Sequence, residues 1–386
     1  MTPIAVPIAL RAHTVRIELA EQAAKDGKAP PPKRSQRAER RWPQHVLVFD
    51  TETTTDASQA LIFGSYRVSR WQADGTLLLI SEGLFYADAL ATDDPNAMTE
   101  LEAYAKARGL SLISRRAFME RVFRPVAIEQ RGMVVGFNLP FDLSRLAIES
   151  GEARNLFRGG FSFALWDYFD KERGEWRENP FCPRVCVKSL DSKRAFIGFT
   201  RPMTSGEECE RTCRGHFLDL RTLAFALSAK SHTLASACTA FGVEHAKLAV
   251  EEHGRVTAEY IDYNRRDVLA TEELLAKLRT EFDQLGLSIP PTRAFSPASI
   301  AKGYLRAFGI RPLRSKAASI SDEELGRCMT AFYGGRAECR IRRTPVPVVT
   351  VDFRSMYPTV NCLLGLWDAT ARLGLQLLSL VSDRAV

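Results

Sequence analysis

The pattern of apolar and polar residues predicts strands that alternate with helices. Short apolar runs at residues 46–49, 133–135 and 185–188 have the length and the alternation of β-strands. Residues 260–271 and 274–285 instead repeat their apolar positions with the spacing of a helix. Strands that are separated by helices in this way are typical of an α/β domain.

Residues 27–41 show no such period. Three consecutive prolines at positions 30–32 precede a basic run that ends at Arg41. Residues 1–44 carry nine basic and four acidic side chains. Because prolines and like charges favour an extended chain, we predict a flexible basic leader there.

A second boundary is predicted near Pro290 and Pro291, which follow the last of these helical stretches. The chain is therefore expected to have three parts. They are the leader (1–44), an α/β domain (45–285) and a linker with a further region (286–386).

Length and composition exclude several classes of protein. The chain has 386 residues, of which 45% are hydrophobic and 26% are charged, so it is neither disordered nor collagen-like. No uninterrupted apolar run approaches the roughly 20 residues of a membrane helix, and no membrane association is expected. The net charge of +7 is compatible with a nucleic-acid partner. The leader alone contributes +5 of it, so charge does not by itself assign DNA binding.

The eight cysteines predict a reduced, cytoplasmic protein, because no apolar secretory segment follows the start of the chain. Cys182 with Cys186, and Cys209 with Cys213, form two C-x3-C pairs whose spacing zinc tolerates. Neither pair is flanked by glycine turns, and Cys186 lies in a run that alternates like a strand. An ordinary strand is favoured, and a zinc site stays open.

The strongest candidate for chemistry is the pair Asp50 and Glu52, which follows the apolar run 46–49. In a strand, residues i and i+2 point to the same face. Two neighbouring carboxylates at the end of a buried strand need a cation, and Mg²⁺ prefers such oxygen ligands. The alternative is a strand end that leads into a polar loop.

Two later segments carry further acids. Asp142 follows the apolar run 133–135 and a turn, just where a helical pattern begins, so it could also serve as a helix cap. Tyr263 and Asp267 stand four residues apart, on one face of a predicted helix. A phenol one turn from a metal-binding carboxylate can orient a water, although an exposed surface helix would give the same pattern.

The motifs D-x-E, N-x-x-F-D and Y-x-x-x-D occur in this order in one chain. The combination resembles the DEDD superfamily of 3′–5′ exonucleases, in the subgroup with a tyrosine in the third motif. The resemblance implies a ribonuclease H-like fold, a mixed sheet flanked by helices. It also implies two Mg²⁺ or Mn²⁺ ions held by Asp50, Glu52, Asp142 and Asp267. Tyr263 would position the attacking water, and the 3′ end of single-stranded DNA would contact Thr53, Asn138 and Phe141.

Weaker similarities follow in the same domain. Residues 217–223 resemble the buried strand of the family that leads into its next helix. Thr233 and Leu234 match only loosely a substrate-binding signature of protein-primed polymerases. Lys247 resembles the auxiliary lysine of those enzymes, or is an ordinary surface lysine.

The last hundred residues resemble the beginning of a family B DNA polymerase. Residues 352–359 match its first polymerase motif, which implies metal binding by Asp352, a place near the incoming triphosphate for Ser355, and exclusion of ribonucleotides by Tyr357. Residues 332–336 resemble the Y-x-G-G element, with Phe332 where protein-primed enzymes usually carry tyrosine. The template-contact candidates there are Gly334, Gly335 and Arg336.

No counterpart of the later polymerase motifs follows Pro358. We therefore expect the proofreading exonuclease portion of a family B DNA polymerase, acting on single-stranded DNA and primer–template 3′ ends. Polymerisation with dNTPs is expected only if a partner chain supplies the missing palm. The alternatives are a subunit of such a split polymerase and a non-catalytic remnant that binds single-stranded DNA.

Overall fold

The computed structural model describes residues 42–191, 194–200, 215–244, 254–307 and 356–363, with a few single positions between 321 and 365. The chain divides into two units, residues 17–318 on the one hand and residues 1–16 with 319–386 on the other. The elements described below belong to the first unit, except the helix Met356–Leu363 in the second.

The strands are β1 (His45–Thr53), β2 (Leu61–Trp71), β3 (Leu77–Tyr86), β4 (Ser111–Ser114), β5 (Met133–Gly136), β6 (Glu149–Glu152), β7 (Phe161–Ala164), β8 (Asp167–Asp170), β9 (Glu175–Glu178), β10 (Val185–Asp191), β11 (Arg194–Phe199) and β12 (His216–Asp219). The α-helices are α1 (Leu90–Asp93), α2 (Pro95–Arg108), α3 (Arg115–Phe118), α4 (Leu139–Arg145), α5 (Leu220–Ser228), α6 (Leu234–Phe241), α7 (Ala258–Gln284), α8 (Pro297–Ala307) and α9 (Met356–Leu363). Two π-helical turns (Met119–Phe123 and Pro125–Glu129) follow α3.

The central sheet of the described residues has six strands in the order β12-β5-β1-β2-β3-β4. Strand β1 pairs in parallel with β5 on one side and antiparallel with β2 on the other. Strand β5 is also parallel to β12, and β3 is parallel to β4. Strand β2 is thus antiparallel to both of its neighbours. The predicted α/β class with a mixed sheet flanked by helices is confirmed.

The two faces of this sheet pack against different helices. Val48 of β1 belongs to a core with α5, α6 and α7, whereas Phe49 points to a core with α3, α4 and the π-helical turns. Because side chains alternate along a strand, Asp50 and Glu52 point to the same face as Val48, the face that packs against α7. The side chain of Thr51 points to the other face, like that of Phe49, and this face packs against α4.

Helix α7 unites the two helical stretches predicted at 260–271 and 274–285, because neither Pro nor Gly interrupts its 27 residues. It begins after Thr257, whose hydroxyl accepts a hydrogen bond from the N–H of Tyr260 at 3.2 Å. Its C-terminal part is buried against the sheet through Leu274, Leu278 and Phe282. The helix therefore carries its N-terminal residues to the end of β1 as part of a rigid element.

A second sheet has the order β11-β10-β7-β6, and β8 pairs with β9 in a separate hairpin. Strand β10 confirms the strand predicted around Cys186, whose thiol is buried, while Cys182 is half-buried. Burial raises the pKa of both thiols. Cys209 and Cys213 lie outside the described residues.

A buried ion pair connects the hairpin to α3. The guanidinium of Arg115 contacts Asp88 at 2.7 Å and Asp167 at 3.3 Å, and it donates to the carbonyl oxygen of Leu165 at 3.0 Å.

Within the part of the chain that the structure describes, no helix combines the length and the apolar character that a membrane crossing requires.

Candidate active site

Asp50 and Glu52 lie side by side at the end of β1, and helix α7 contacts both of them. The Asn264 Nδ2 donates to Asp50 Oδ2 at 2.8 Å and to Glu52 Oε1 at 3.3 Å. The hydroxyl of Tyr260 donates to Glu52 Oε2. Both carboxylates are half-buried. The structure thus places this predicted pair on one face of the strand.

Asp142 reaches the same end of β1 from the opposite face. Its carboxylate is only 3% exposed and accepts hydrogen bonds from the hydroxyl (2.7 Å) and the N–H (3.3 Å) of Thr51. The N-cap position of α4 belongs to Asn138. The capping alternative for Asp142 is therefore wrong, because its side chain is bonded to β1.

The electrostatics of Asp142 are unusual for a carboxylate. Burial raises the pKa of Asp142 to about 8, the hydrogen bonds from Thr51 oppose that rise, and the charges of Asp219 and Glu52 add to it. Negative charges therefore converge at this point from several elements. A cation would relieve their repulsion.

Tyr263 and Asp267 are both buried on α7. Tyr263 is 7% exposed and Asp267 is 5% exposed, so the alternative of an exposed surface helix is wrong. The ring of Tyr263 stacks on that of Tyr260 with a centroid distance of 6.1 Å and an interplanar angle of 24°. Asp267 follows Asn264 by three residues, which brings it about one turn further along the helix.

The residues predicted to contact DNA lie at the end of β1, in α4 and in the turn before α4. Thr53 is the last residue of β1, after a shift in the strand register. Phe141 is half-buried on α4, and the guanidinium of Arg145 lies 4.8 Å from the centroid of its ring. Arg145 also donates to the backbone carbonyl of Gln59 at 2.6 Å, so it connects α4 to the loop after β1.

Asn138 has a left-handed backbone conformation, with φ 75°. Its N–H donates to Asp219 Oδ1 at 2.9 Å, and Asp219 also accepts from the hydroxyl of Thr222 at 3.0 Å. Burial raises the pKa of Asp219 although these hydrogen bonds oppose the rise. Asp219, at the end of β12, therefore holds the turn that presents Asn138 and Phe141.

Several residues of the site were not predicted. Tyr260 is bonded to Glu52, and Asn264 is bonded to Asp50. Ser65 is bonded to Asn264, and Asp219 holds the turn before α4. A signal for two of them was present. Positions 260, 264 and 267 repeat with helical spacing, so a polar face that includes the predicted Asp267 also includes Tyr260 and Asn264.

In the described part of the chain, no three His, Cys, Asp or Glu side chains are grouped so that they could hold a metal ion. The placement of the acids explains this result. Asp50 and Glu52 lie on the α7 face of β1, while Asp142 lies behind the strand and is bonded to Thr51.

The predicted polymerase residues fall mostly outside the described residues. Tyr357 lies in helix α9. The predicted residues that lie outside the described part of the chain are Lys247, Gly334, Gly335, Arg336, Asp352 and Ser355.

Comparisons with known proteins leave the family open. No protein-family model matches the chain. No curated protein matches it either. An assignment therefore depends on the motifs and on where the fold places them.

Proposed function

We propose that this protein is a ribonuclease H-like 3′–5′ exonuclease that removes nucleotides from single-stranded DNA with two Mg²⁺ or Mn²⁺ ions. The observation that carries the proposal is the meeting of the three motifs at one strand end. Asp142 is bonded to Thr51, which lies between Asp50 and Glu52, and the third motif spans the asparagine bonded to both.

The topology supports the ribonuclease H-like part of the proposal. The first three strands form a meander in which β2 is antiparallel, and β5 and β12 extend the sheet in parallel on the other side of β1. In such a sheet, the carboxyl ends of β1, β5 and β12 share one edge. Asp50, Glu52 and the turn that contains Asn138 lie at that edge.

The residues present fit divalent cations by the chemistry of their donor atoms, although no three of these side chains are grouped around one point in the described part of the chain. All four candidate ligands, Asp50, Glu52, Asp142 and Asp267, offer hard carboxylate oxygens, which Mg²⁺ and Mn²⁺ prefer. The raised pKa of Asp142 reflects burial near other negative charges, which a cation would offset. When bound, such ions supply a hydroxide nucleophile and stabilise the leaving 3′ oxygen.

The other side chains would orient the substrate. Tyr263 lies on the helix that carries Asp267, so its phenol would position the attacking water. Phe141 offers an aromatic face for a base at the 3′ end, and Asn138 and Thr53 offer polar groups for the sugar and phosphate. The exonuclease needs no covalent intermediate in this arrangement.

The wider assignment remains part of the proposal. The resemblance of residues 332–336 and 352–359 supports a proofreading role in a cytoplasmic family B DNA polymerase.

A double substitution tests the exonuclease. We expect Asp50→Ala with Glu52→Ala to abolish the Mg²⁺-dependent shortening of a labelled single strand. The matched control is Glu100→Ala with Glu102→Ala, which removes two exposed acids of the same spacing on α2. Undiminished activity of the first variant would exclude these carboxylates from the reaction.

A further inference from the structure

We infer that Tyr260 and Asn264, with Ser65 behind Asn264, position the carboxylates of Asp50 and Glu52 for metal binding. These three residues are named the carboxylate clamp below. The inference rests on the proposed exonuclease function, in which the two carboxylates are metal ligands. It assigns to the clamp a positioning role.

The clamp contacts both oxygens of Glu52 and one of Asp50. Asn264 Nδ2 bridges Asp50 Oδ2 (2.8 Å) and Glu52 Oε1 (3.3 Å), and the hydroxyl of Tyr260 donates to Glu52 Oε2. These bonds fix the plane of the Glu52 carboxylate and its separation from Asp50. Without such donors, two adjacent carboxylates repel each other and turn apart.

The orientation of the Asn264 amide is set by its partners. Carboxylates only accept hydrogen bonds, so the nitrogen of the amide must face Asp50 and Glu52. The oxygen faces the other way and accepts a hydrogen bond from the hydroxyl of Ser65 at 2.6 Å. Asn264 is fully buried at 0% exposure, and Tyr260 is 2% exposed. Water therefore cannot easily replace either donor.

The clamp is part of a rigid support. Tyr260 and Asn264 stand one turn apart on α7, and Asp267 follows on the same helix. Two ion pairs fasten this helix to the sheet, from Arg67 to Glu272 at 2.8 Å and from Arg265 to Glu82 at 3.2 Å. Hydrogen bonds to ligating carboxylates of this kind typically contribute ten- to a hundred-fold to metal affinity.

A positioning role predicts a specific effect. Loss of a clamp donor should weaken metal binding about tenfold. It should raise the metal concentration for half-maximal activity by a similar factor, and activity should largely recover at saturating metal. A purely structural role would instead lower the fraction of folded protein and leave the affinity of the folded fraction unchanged.

The test is a Mn²⁺ titration of the full chain, with free Mn²⁺ measured by electron paramagnetic resonance. The variants are Tyr260→Phe, Asn264→Ala and Ser65→Ala, each with a thermal melt to check folding. The control is Tyr104→Phe, because the hydroxyl of Tyr104 donates to Asp262 on the same helix. That control removes a similar hydroxyl–carboxylate bond away from Asp50 and Glu52.

We expect about tenfold weaker Mn²⁺ binding in Tyr260→Phe and Asn264→Ala, a smaller loss in Ser65→Ala, and none in the control. Unchanged or tighter binding in folded Tyr260→Phe and Ser65→Ala would overturn the clamp. A tenfold loss in the control as well would overturn it too. If the wild type binds Mn²⁺ but the variants do not differ, only the clamp fails. If the wild type binds no Mn²⁺, the proposed function fails with it.

Discussion

Replacement of Asp142 by asparagine separates the effect of this residue on the stability of the protein from its role in the proposed nuclease reaction. Asp142 is buried, and asparagine keeps an oxygen that can accept the hydrogen bonds from Thr51 while it removes the charge. We expect Asp142→Asn to abolish metal-dependent nuclease activity and to stabilise the metal-free protein. A residue that serves only the fold would not show both effects.

The magnitude follows from the pKa of Asp142, which burial raises from 3.8 to about 8. Because the folded-state pKa lies above the unfolded one, the protonated carboxyl favours the folded state. Its stabilising contribution is complete below about pH 4 and is lost as the pH rises through about 8. At about 1.4 kcal/mol for each pKa unit, the loss is on the order of 6 kcal/mol at most. We expect the variant to exceed the wild type by about 2–5 kcal/mol near pH 9 and to equal it near pH 4.

The assay is urea unfolding in EDTA at several pH values. The control is Asp56→Asn, because hydrogen bonds from Ser58 lower the pKa of that exposed carboxyl. Loss of the negative charge of Asp56 should not stabilise the protein. If the difference in unfolding free energy between Asp142→Asn and the wild type stays constant from pH 5 to pH 9, the reasoning about the buried charge is refuted.

Further predictions concern substrate binding and the support of the site. Phe141→Ala should weaken single-stranded DNA binding about tenfold in fluorescence anisotropy with EDTA present, because a base loses its stacking face; equal affinity would contradict a stacking role. Arg115→Met should reduce the free energy of unfolding by about 1–3 kcal/mol in urea, because Asp88 loses its hydrogen bond to Arg115 while Asp167 keeps its ion pair with Arg116 at 2.8 Å. Thr257→Ala should reduce it by about 1 kcal/mol through loss of the α7 cap, and Thr257→Ser should restore it.

The sequence predicted the local features of the site well. The apolar run before Asp50 indicated a strand, and the period of two placed Asp50 and Glu52 on the same face, as the structure has them. Helical spacing likewise placed Tyr263 and Asp267 on one helix. Each of these predictions depends only on neighbours in the chain, so periodicity suffices for it.

The contacts between distant residues could not be predicted. Asn264 meets Asp50 across 214 residues, and the backbone N–H of Asn138 meets Asp219 across 81. Local spacing fixes the face of an element but not the element that packs against it, which depends on the order of strands in the sheet. For the same reason, a helix cap stayed open as the alternative for Asp142, although its carboxylate is bonded to Thr51 of β1.

The most direct test of the proposed activity is the digestion of a 5′-labelled single-stranded oligonucleotide by the wild-type chain. With Mg²⁺ or Mn²⁺ we predict a ladder of products that shorten by one nucleotide at a time from the 3′ end, and EDTA should stop the reaction. An oligonucleotide that stays intact with both metals, or a ladder that forms equally well in EDTA, would contradict the proposal.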